Sequence, residues 1–151
     1  MTATRPDPAS VCAELKDFQR RSVDYVFRRL YLDADRVDRF LLADEVGLGK
    51  TKVAKGVIAR TIDHVWDSVE RIDVVYVCSN ASIARQNLNR LVIGEDQEAA
   101  SATRLTLLPL HLRGLAERKL NFVSFTPGTS FDLGSSKGIR LERMLLLCLL
   151  R

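Results

Sequence analysis

Cysteine is scarce in this sequence. The 151 residues include three cysteines, Cys12, Cys78 and Cys148, and they are far apart. No Cys-x-x-Cys pair occurs, and no cysteine lies at metal-ligand spacing from a histidine. An odd number of widely separated cysteines argues against a disulfide framework, and the missing ligand pairs argue against a zinc site.

Long apolar runs are also missing. No run approaches the roughly 20 residues that span a bilayer, and residues 1–10 lack the apolar core of a signal peptide. We therefore expect no membrane association, a cytoplasmic location, and a short disordered arm over residues 1–14. The chain is 46% hydrophobic and 28% charged, which is enough apolar content for the core of one domain.

Neither sign of charge dominates the first two thirds of the chain. Residues 1–101 hold 15 Lys and Arg against 16 Asp and Glu, a balance of −1. Residues 102–151 hold 8 against 3, a balance of +5, so the basic surplus lies in the last third. A basic surface can contact the phosphates of nucleic acid or can be an ordinary solvated face, and charge alone leaves both interpretations open.

Apolar residues alternate along the chain between helical spacing and short β-branched runs. This periodicity predicts helices over residues 15–32, 51–66, 82–92 and 139–150, strands over 40–43, 72–78, 104–108 and 121–126, a helix or turn over 112–119, and a loop over 94–101. In the first helix the apolar stripe is predicted to include Phe18 and either Tyr25 or Val26. Because strand and helix alternate four times after residue 40, we expect an α/β fold with a doubly wound parallel sheet and flanking helices.

A glycine-rich stretch lies between a predicted strand and a predicted helix. Residues 41–51 read Leu-Leu-Ala-Asp-Glu-Val-Gly-Leu-Gly-Lys-Thr, which is typical of a phosphate-binding loop. Glycines let backbone N–H groups approach anionic oxygens, and the N-terminus of the next helix favours negative charge. Lys50 would bind the β- and γ-phosphates, and Thr51 would ligate Mg²⁺. The strict spacing has a glycine where Asp44 stands, so a glycine-rich turn without a ligand is the alternative.

The segment Asp44-Glu45-Val46-Gly47-Leu48-Gly49-Lys50-Thr51 resembles motif I of the Swi/Snf-type branch of superfamily-two helicases and translocases. In that branch Asp is common at the position of Asp44. The resemblance implies a RecA-like P-loop NTPase that binds ATP and Mg²⁺ through residues 44–51. Upstream, Leu15-Lys16-Asp17-Phe18-Gln19 is similar to the segment whose glutamine, here Gln19, reads the adenine edge through its amide.

Two further segments are similar to family motifs that contact nucleic acid. Ser79 and Asn80 follow a predicted strand at the position of motif Ia. Another segment is similar to motif Ib, and it consists of Thr126, Pro127, Gly128, Thr129 and Ser130. Hydroxyl and N–H groups in such a turn would position phosphates without reading sequence, although the segment is also a good generic turn. The resemblance thus implies DNA or RNA as the partner, with DNA favoured.

The resemblance covers about residues 15–135, and residues 15–151 are expected to form part of a first RecA-like domain. Hydrolysis also needs an acidic motif II at the end of an apolar strand, and the sequence contains no such strand. We therefore expect the sequence to end before motif II, to lack the second RecA-like domain, and to be inactive alone. The predicted function is the ATP-binding part of a helicase or translocase. A small-molecule P-loop kinase and a non-catalytic nucleotide-binding adaptor are the alternatives.

Overall fold

The computed structural model describes residues 4–94, 99–101, 112–126 and 140–150. The elements in chain order are α1 (Pro8–Ala13), α2 (Asp17–Phe27), a π-helix (Arg28–Leu32), α3 (Lys50–Val65), β1 (Ile72–Val77), α4 (Ala81–Leu91), β2 (Ala99–Ser101), α5 (Leu112–Ala116), β3 (Leu120–Phe125) and α6 (Arg140–Leu149). These elements confirm all the predicted helices and the strands over 72–78 and 121–126. The strand predicted over 104–108 lies outside the described residues. Among the helices described, none has the length and apolar character needed to cross a membrane.

The chain divides into two compact units. The first, here called the helical unit, comprises Met1–Ile72 and Arg90–Gln97. The second, the sheet unit, comprises Asp73–Asn89 and Glu98–Arg151. The glycine-rich stretch therefore belongs to the helical unit, and the strands belong to the sheet unit.

The sheet unit has mixed α/β architecture. Its three strands within the described residues have the order β1-β3-β2, so that β3 is central among them. β2 and β3 run parallel, in a register that pairs Ala99 with Phe122 and Ser101 with Ser124. The prediction of a loop over residues 94–101 was therefore wrong for Ala99–Ser101. It rested on the acidic composition of this stretch, but its last three residues are small and pair with the central strand.

β1 is a strand, as predicted, but it is not buried on both faces. Burial alternates along β1, and Val75 and Val77 are 53% and 51% exposed. β1 lies at one end of the described sheet, and one of its faces is open to solvent. Its β-branched composition correctly predicted a strand, but the alternation of burial depends on what covers each face.

One buried amide connects the turn before β3 to β1. Asn121 is 3% exposed, and its Nδ2 donates to the carbonyls of Leu115 and Arg118 at 3.0 and 3.3 Å. The same nitrogen also lies 2.9 Å from Oδ1 of Asp73, so its two N–H groups serve three acceptors. Because these acceptors lie on α5, on the turn and on β1, Asn121 fixes the start of the central strand.

The core of the helical unit forms where α2 meets α3. Leu15, Val23 and Val53 form a buried cluster, against which Cys12 and Leu42 pack. Burial raises the pKa of the Cys12 thiol, so this cysteine behaves as a small apolar residue rather than a nucleophile.

Gly56 allows the close approach of α2 and α3, and this leads to a prediction about stability. A Cβ at Gly56 would lie 2.7 Å from Cγ2 of Val23 and 3.1 Å from Cδ1 of Leu15. Overpacking costs about 1–3 kcal/mol, and the gain in helix propensity offsets up to about 1 kcal/mol. We therefore expect Gly56→Ala to lower the free energy of unfolding by about 1–2 kcal/mol, measured by urea titration.

The matched control is Gly114→Ala, since a Cβ at Gly114 in α5 meets nothing within 4 Å. This control should leave stability unchanged or slightly raised. A Gly56→Ala protein as stable as the unaltered one would contradict the close packing of α2 on α3.

Within residues 1–14, where a disordered arm was expected, Pro8–Ala13 form the helix α1. α1 begins at Pro8, and the Asp7 carboxylate caps it by accepting from two backbone N–H groups. Upstream, Arg5 forms ion pairs with Asp63 and Asp67 at 2.7 and 2.9 Å. Asp-Pro is a strong helix-start signal, and the polar composition of this segment had masked it.

The strand predicted over residues 40–43 is absent. These residues have no regular structure and pair with no strand in the described part of the chain. Leu42 packs on the core, whereas Leu41 is 84% exposed. A short apolar run becomes a strand only when a neighbour accepts its backbone hydrogen bonds. Here side-chain packing, by Leu42 on the core and by Phe40 on Tyr25, holds the segment in place.

Candidate nucleotide-binding site

The glycine-rich stretch folds as a loop that leads into α3. Gly47 and Gly49 have φ angles of +91° and +83°, in the left-handed region that favours glycine. Gly49 is the N-cap of α3 and provides no side-chain cap. The first-turn N–H groups of an α-helix have no acceptor within the helix. The loop therefore ends at a helix start that favours an anion.

Lys50 extends back across this loop. Its Nζ donates to the carbonyl oxygens of Asp44 and Glu45, each at 2.8 Å. An ammonium group has three N–H donors, so one remains for a phosphate oxygen while two hold the loop closed. Asp44 takes part in the loop through its backbone carbonyl. Every described residue with positive φ is a glycine, so Asp44 has a backbone conformation that a residue with a side chain can adopt.

Gln19 supports the loop from α2. It is 5% exposed, and its Nε2 donates to the carbonyl of Leu48 at 2.9 Å. Its Oε1 accepts from the backbone N–H of Lys16 at 3.0 Å, which caps the start of α2. Both ends of the amide thus bind protein groups. The role that the resemblance implies for Gln19, reading adenine, stays a prediction, and it would require the amide to exchange at least one of these partners.

The outer side of the loop is open to solvent. Val46 is 98% exposed and Leu48 is 42% exposed. A Cβ placed on Gly47 would meet nothing within 4 Å. Gly49, in contrast, lies directly against Nε2 of Gln19. α2 therefore contacts the loop on one side, and the other side is accessible to solvent, as a phosphate-binding loop requires.

The residues predicted to hold Mg²⁺ and phosphate fit those groups chemically. Thr51 lies in the first turn of α3, half-buried beside Lys50. The described residues contain no cluster of three or more His, Cys, Asp or Glu side chains. A metal in this loop would therefore rely on the Thr51 hydroxyl together with phosphate oxygens, as in P-loop proteins.

Three of the residues predicted to contact nucleic acid, Ser79, Asn80 and Thr126, lie in the sheet unit. Ser79 and Asn80 are exposed after β1. The Asn80 carboxamide oxygen accepts from the N–H groups of Ser82 and Ile83 at 2.9 and 3.1 Å, so it caps α4. Thr126 follows β3 and is 4% exposed. Pro127, Gly128, Thr129 and Ser130 lie outside the described residues.

The prediction for the apolar stripe of α2 was partly wrong. Phe18 was predicted to lie in it together with either Tyr25 or Val26, but Phe18 and Tyr25 are 45% and 51% exposed, whereas Val26 is buried. The buried stripe is instead Gln19, Val23, Val26 and Phe27. The capping-box signature does not identify this stripe in the sequence, because Lys16 stands at the N-cap where that signature has Ser or Thr.

No protein-family model, curated protein or solved structure matches this chain. The geometry of the loop and of α2 therefore carries the functional interpretation.

Proposed function

We propose that this chain binds ATP with Mg²⁺ in the loop formed by residues 44–51. The observation that carries the proposal is the position of Lys50. Its ammonium group lies over a loop with two glycines at positive φ, directly before the start of a helix. This arrangement concentrates positive potential and free N–H donors at one point, which suits a polyphosphate.

Within this proposal each residue has a defined task. Gly47 and Gly49 let the backbone approach the phosphates, and Lys50 neutralises charge on the β- and γ-phosphates. Thr51 holds Mg²⁺ through its hydroxyl. Gln19 keeps the loop in shape from beneath, because its amide binds the carbonyl of Leu48. Bound ATP and Mg²⁺ would supply the phosphoryl chemistry.

The class of protein that we propose is a nucleic-acid-dependent ATPase, a helicase or DNA translocase, with a RecA-like fold. Three features support this class: the motif I resemblance of residues 44–51, the parallel pairing of β2 and β3, and the basic surplus of residues 102–151. In such a protein, ATP binding and hydrolysis drive movement along DNA or RNA. A small-molecule kinase shares the loop but has no use for nucleic acid.

The test is whether ATP and nucleic acid influence each other's binding. In a nucleic-acid-dependent ATPase, each ligand changes the affinity of the other by the same factor. Calorimetric titration of ATP with Mg²⁺, with and without a saturating oligonucleotide, measures that factor without requiring hydrolysis. A several-fold change is expected. ATP binding that is indifferent to DNA and RNA would favour a kinase, and no ATP binding would reject the proposal altogether.

Nucleic-acid binding through basic residues also predicts a strong dependence on salt. Each neutralised phosphate releases counterions, so affinity should fall at least about tenfold between roughly 50 and 200 mM salt. Fluorescence anisotropy of a labelled oligonucleotide measures this directly. An affinity that does not change with salt would mean that the basic surplus of residues 102–151 is only solvated surface.

A further inference from the structure

α2 has an exposed face on which aromatic and guanidinium groups alternate. Phe18 and Tyr25 are seven residues apart, so they lie on one side of the helix two turns apart. Arg21 and Arg28 each follow one of these aromatic residues by three positions, which places them on the same stripe. All four side chains are exposed. Together with Phe40, they form what we call the arginine–aromatic face.

Contacts within this face hold the Tyr25 ring in one orientation. The Phe40 ring packs edge-to-face against Tyr25, with centroids 5.9 Å apart and planes at 76°. The Arg28 guanidinium carbon lies 5.7 Å from the centroid of the Tyr25 ring. Nevertheless Tyr25 remains 51% exposed and Phe40 39% exposed. A positioned aromatic ring that is still accessible can accept a flat ligand at a low entropic cost.

Both acids of α2 are paired with residues outside the face, whereas Arg28 of the face itself pairs with an acid. Asp17 pairs with Arg20, and Asp24 pairs with Arg60 of α3. Arg28 shares Asp33 at 3.5 Å. Within the ranges described, Arg21 forms no ion pair. The face therefore offers a free guanidinium group between two exposed aromatic rings.

We propose that the arginine–aromatic face binds single-stranded nucleic acid. Unpaired bases would stack on Phe18 and Tyr25, and Arg21 would contact the phosphate between them. The stripe from Phe18 to Arg28 is about 15 Å long, which matches about four stacked nucleotides at about 3.4 Å each. An apolar peptide would cover the rings but leave Arg21 without a partner, whereas a single strand satisfies both kinds of group.

This site differs from the nucleic-acid contacts predicted at Ser79, Asn80 and Thr126, which belong to the sheet unit. It goes beyond the proposed function in two respects: it specifies that the nucleic acid is single-stranded, and it assigns the binding to a surface of the helical unit. It rests on the nucleic-acid half of that proposal and not on ATP binding.

The experiment compares single-stranded and duplex ligands. Fluorescence anisotropy would measure the dissociation constants of a labelled oligo(dT) and of a duplex for the unaltered protein and its variants. The double variant Phe18→Ala/Tyr25→Ala should weaken oligo(dT) binding by at least about 25-fold, since each stacked base typically contributes about 5- to 150-fold and two are lost. Tyr25→Phe keeps the ring and should bind as the unaltered protein does. Arg21→Ala should reduce the salt slope by about 1.

Val69→Ala is the matched control, because Val69 is an exposed apolar residue outside the face, 39% exposed. Circular dichroism would verify that each variant is folded. Unchanged oligo(dT) affinity in the double variant would overturn the proposal, as would equal losses for single strand and duplex or no oligo(dT) binding at all. Self-association that depends on Tyr25, with unchanged oligo(dT) binding, would instead identify a protein interface and also overturn it. None of these outcomes alters ATP binding through Lys50, so the two proposals can fail separately.

Discussion

Replacing Lys50 with alanine is expected to abolish ATP binding at concentrations that saturate the unaltered protein. Lys50 is the cation whose Nζ lies across the loop, held by the carbonyls of Asp44 and Glu45. Alanine removes both the charge and the donors. Hydrogen bonds to charged groups contribute about 1.5–3 kcal/mol each, so the affinity should fall by at least about 100-fold. Isothermal titration calorimetry with ATP and Mg²⁺ measures this loss.

Lys52→Ala is the control for a general loss of charge. Lys52 lies two residues further along α3, is exposed, and makes no side-chain hydrogen bond within the described part of the chain. We expect its ATP affinity to stay within about twofold of the unaltered protein, because an exposed charge outside the loop is largely screened. Equal affinities for Lys50→Ala and the unaltered protein would refute the phosphate-loop assignment.

The Lys50 variant should remain folded, which keeps the result interpretable. The two carbonyls that lose Lys50 belong to a loop with exposed neighbours, so water can replace the ammonium group. The free energy of unfolding should therefore change by less than about 1 kcal/mol. Thermal unfolding of both proteins without nucleotide provides this comparison.

The loop was predictable from the sequence because its determinants are local. Positive φ angles at Gly47 and Gly49 depend on the glycines themselves, and α3 starts at Lys50 as the pattern predicted. The strict motif failed at Asp44, yet the structure gives a physical reason why that position tolerates a side chain. Asp44 contributes its carbonyl to Lys50 and has no positive φ.

Long-range partners were not predictable in the same way. Residues 40–43 have strand propensity but lack a ladder partner within the described residues, whereas Ala99–Ser101 have little propensity and pair with β3. Strand formation depends on neighbours that are distant in sequence. The sequence therefore indicated an α/β class, which the structure confirms, but not which short segments would join the sheet.

The orientation of α2 illustrates a third limit. Periodicity predicted a helix over residues 15–32 whose apolar stripe included Phe18 and either Tyr25 or Val26. The buried stripe of α2 instead includes Gln19 and Val23, together with Val26. Gln19 can be buried there because both ends of its amide have partners, at Lys16 and Leu48. A buried polar group is tolerated when it is hydrogen-bonded, and hydrophobicity alone cannot predict such a pair.

The dependence of the loop on Gln19 makes Gly49→Ala the most informative second substitution. Gly49 has φ +83°, and a Cβ there would lie 2.5 Å from Nε2 of Gln19. The left-handed conformation costs an alanine about 1–2 kcal/mol. Gln19 is 5% exposed, so it can move only by losing its bond to Leu48, which leaves a carbonyl unpaired at about 1–3 kcal/mol. We expect a total loss of about 2–5 kcal/mol in unfolding free energy, together with weaker ATP binding.

Gly47→Ala separates backbone strain from crowding. Its φ is +91°, but a Cβ there meets nothing within 4 Å, so it should cost only the strain of about 1–2 kcal/mol. In a Gln19→Ala background, the crowding at Gly49 disappears, and Gly49→Ala should then cost no more than Gly47→Ala. Urea titration of the four proteins in this double-mutant cycle measures the coupling between Gln19 and Gly49. Additive effects would mean that α2 does not hold the loop, and Gln19 would then be free to face a nucleotide.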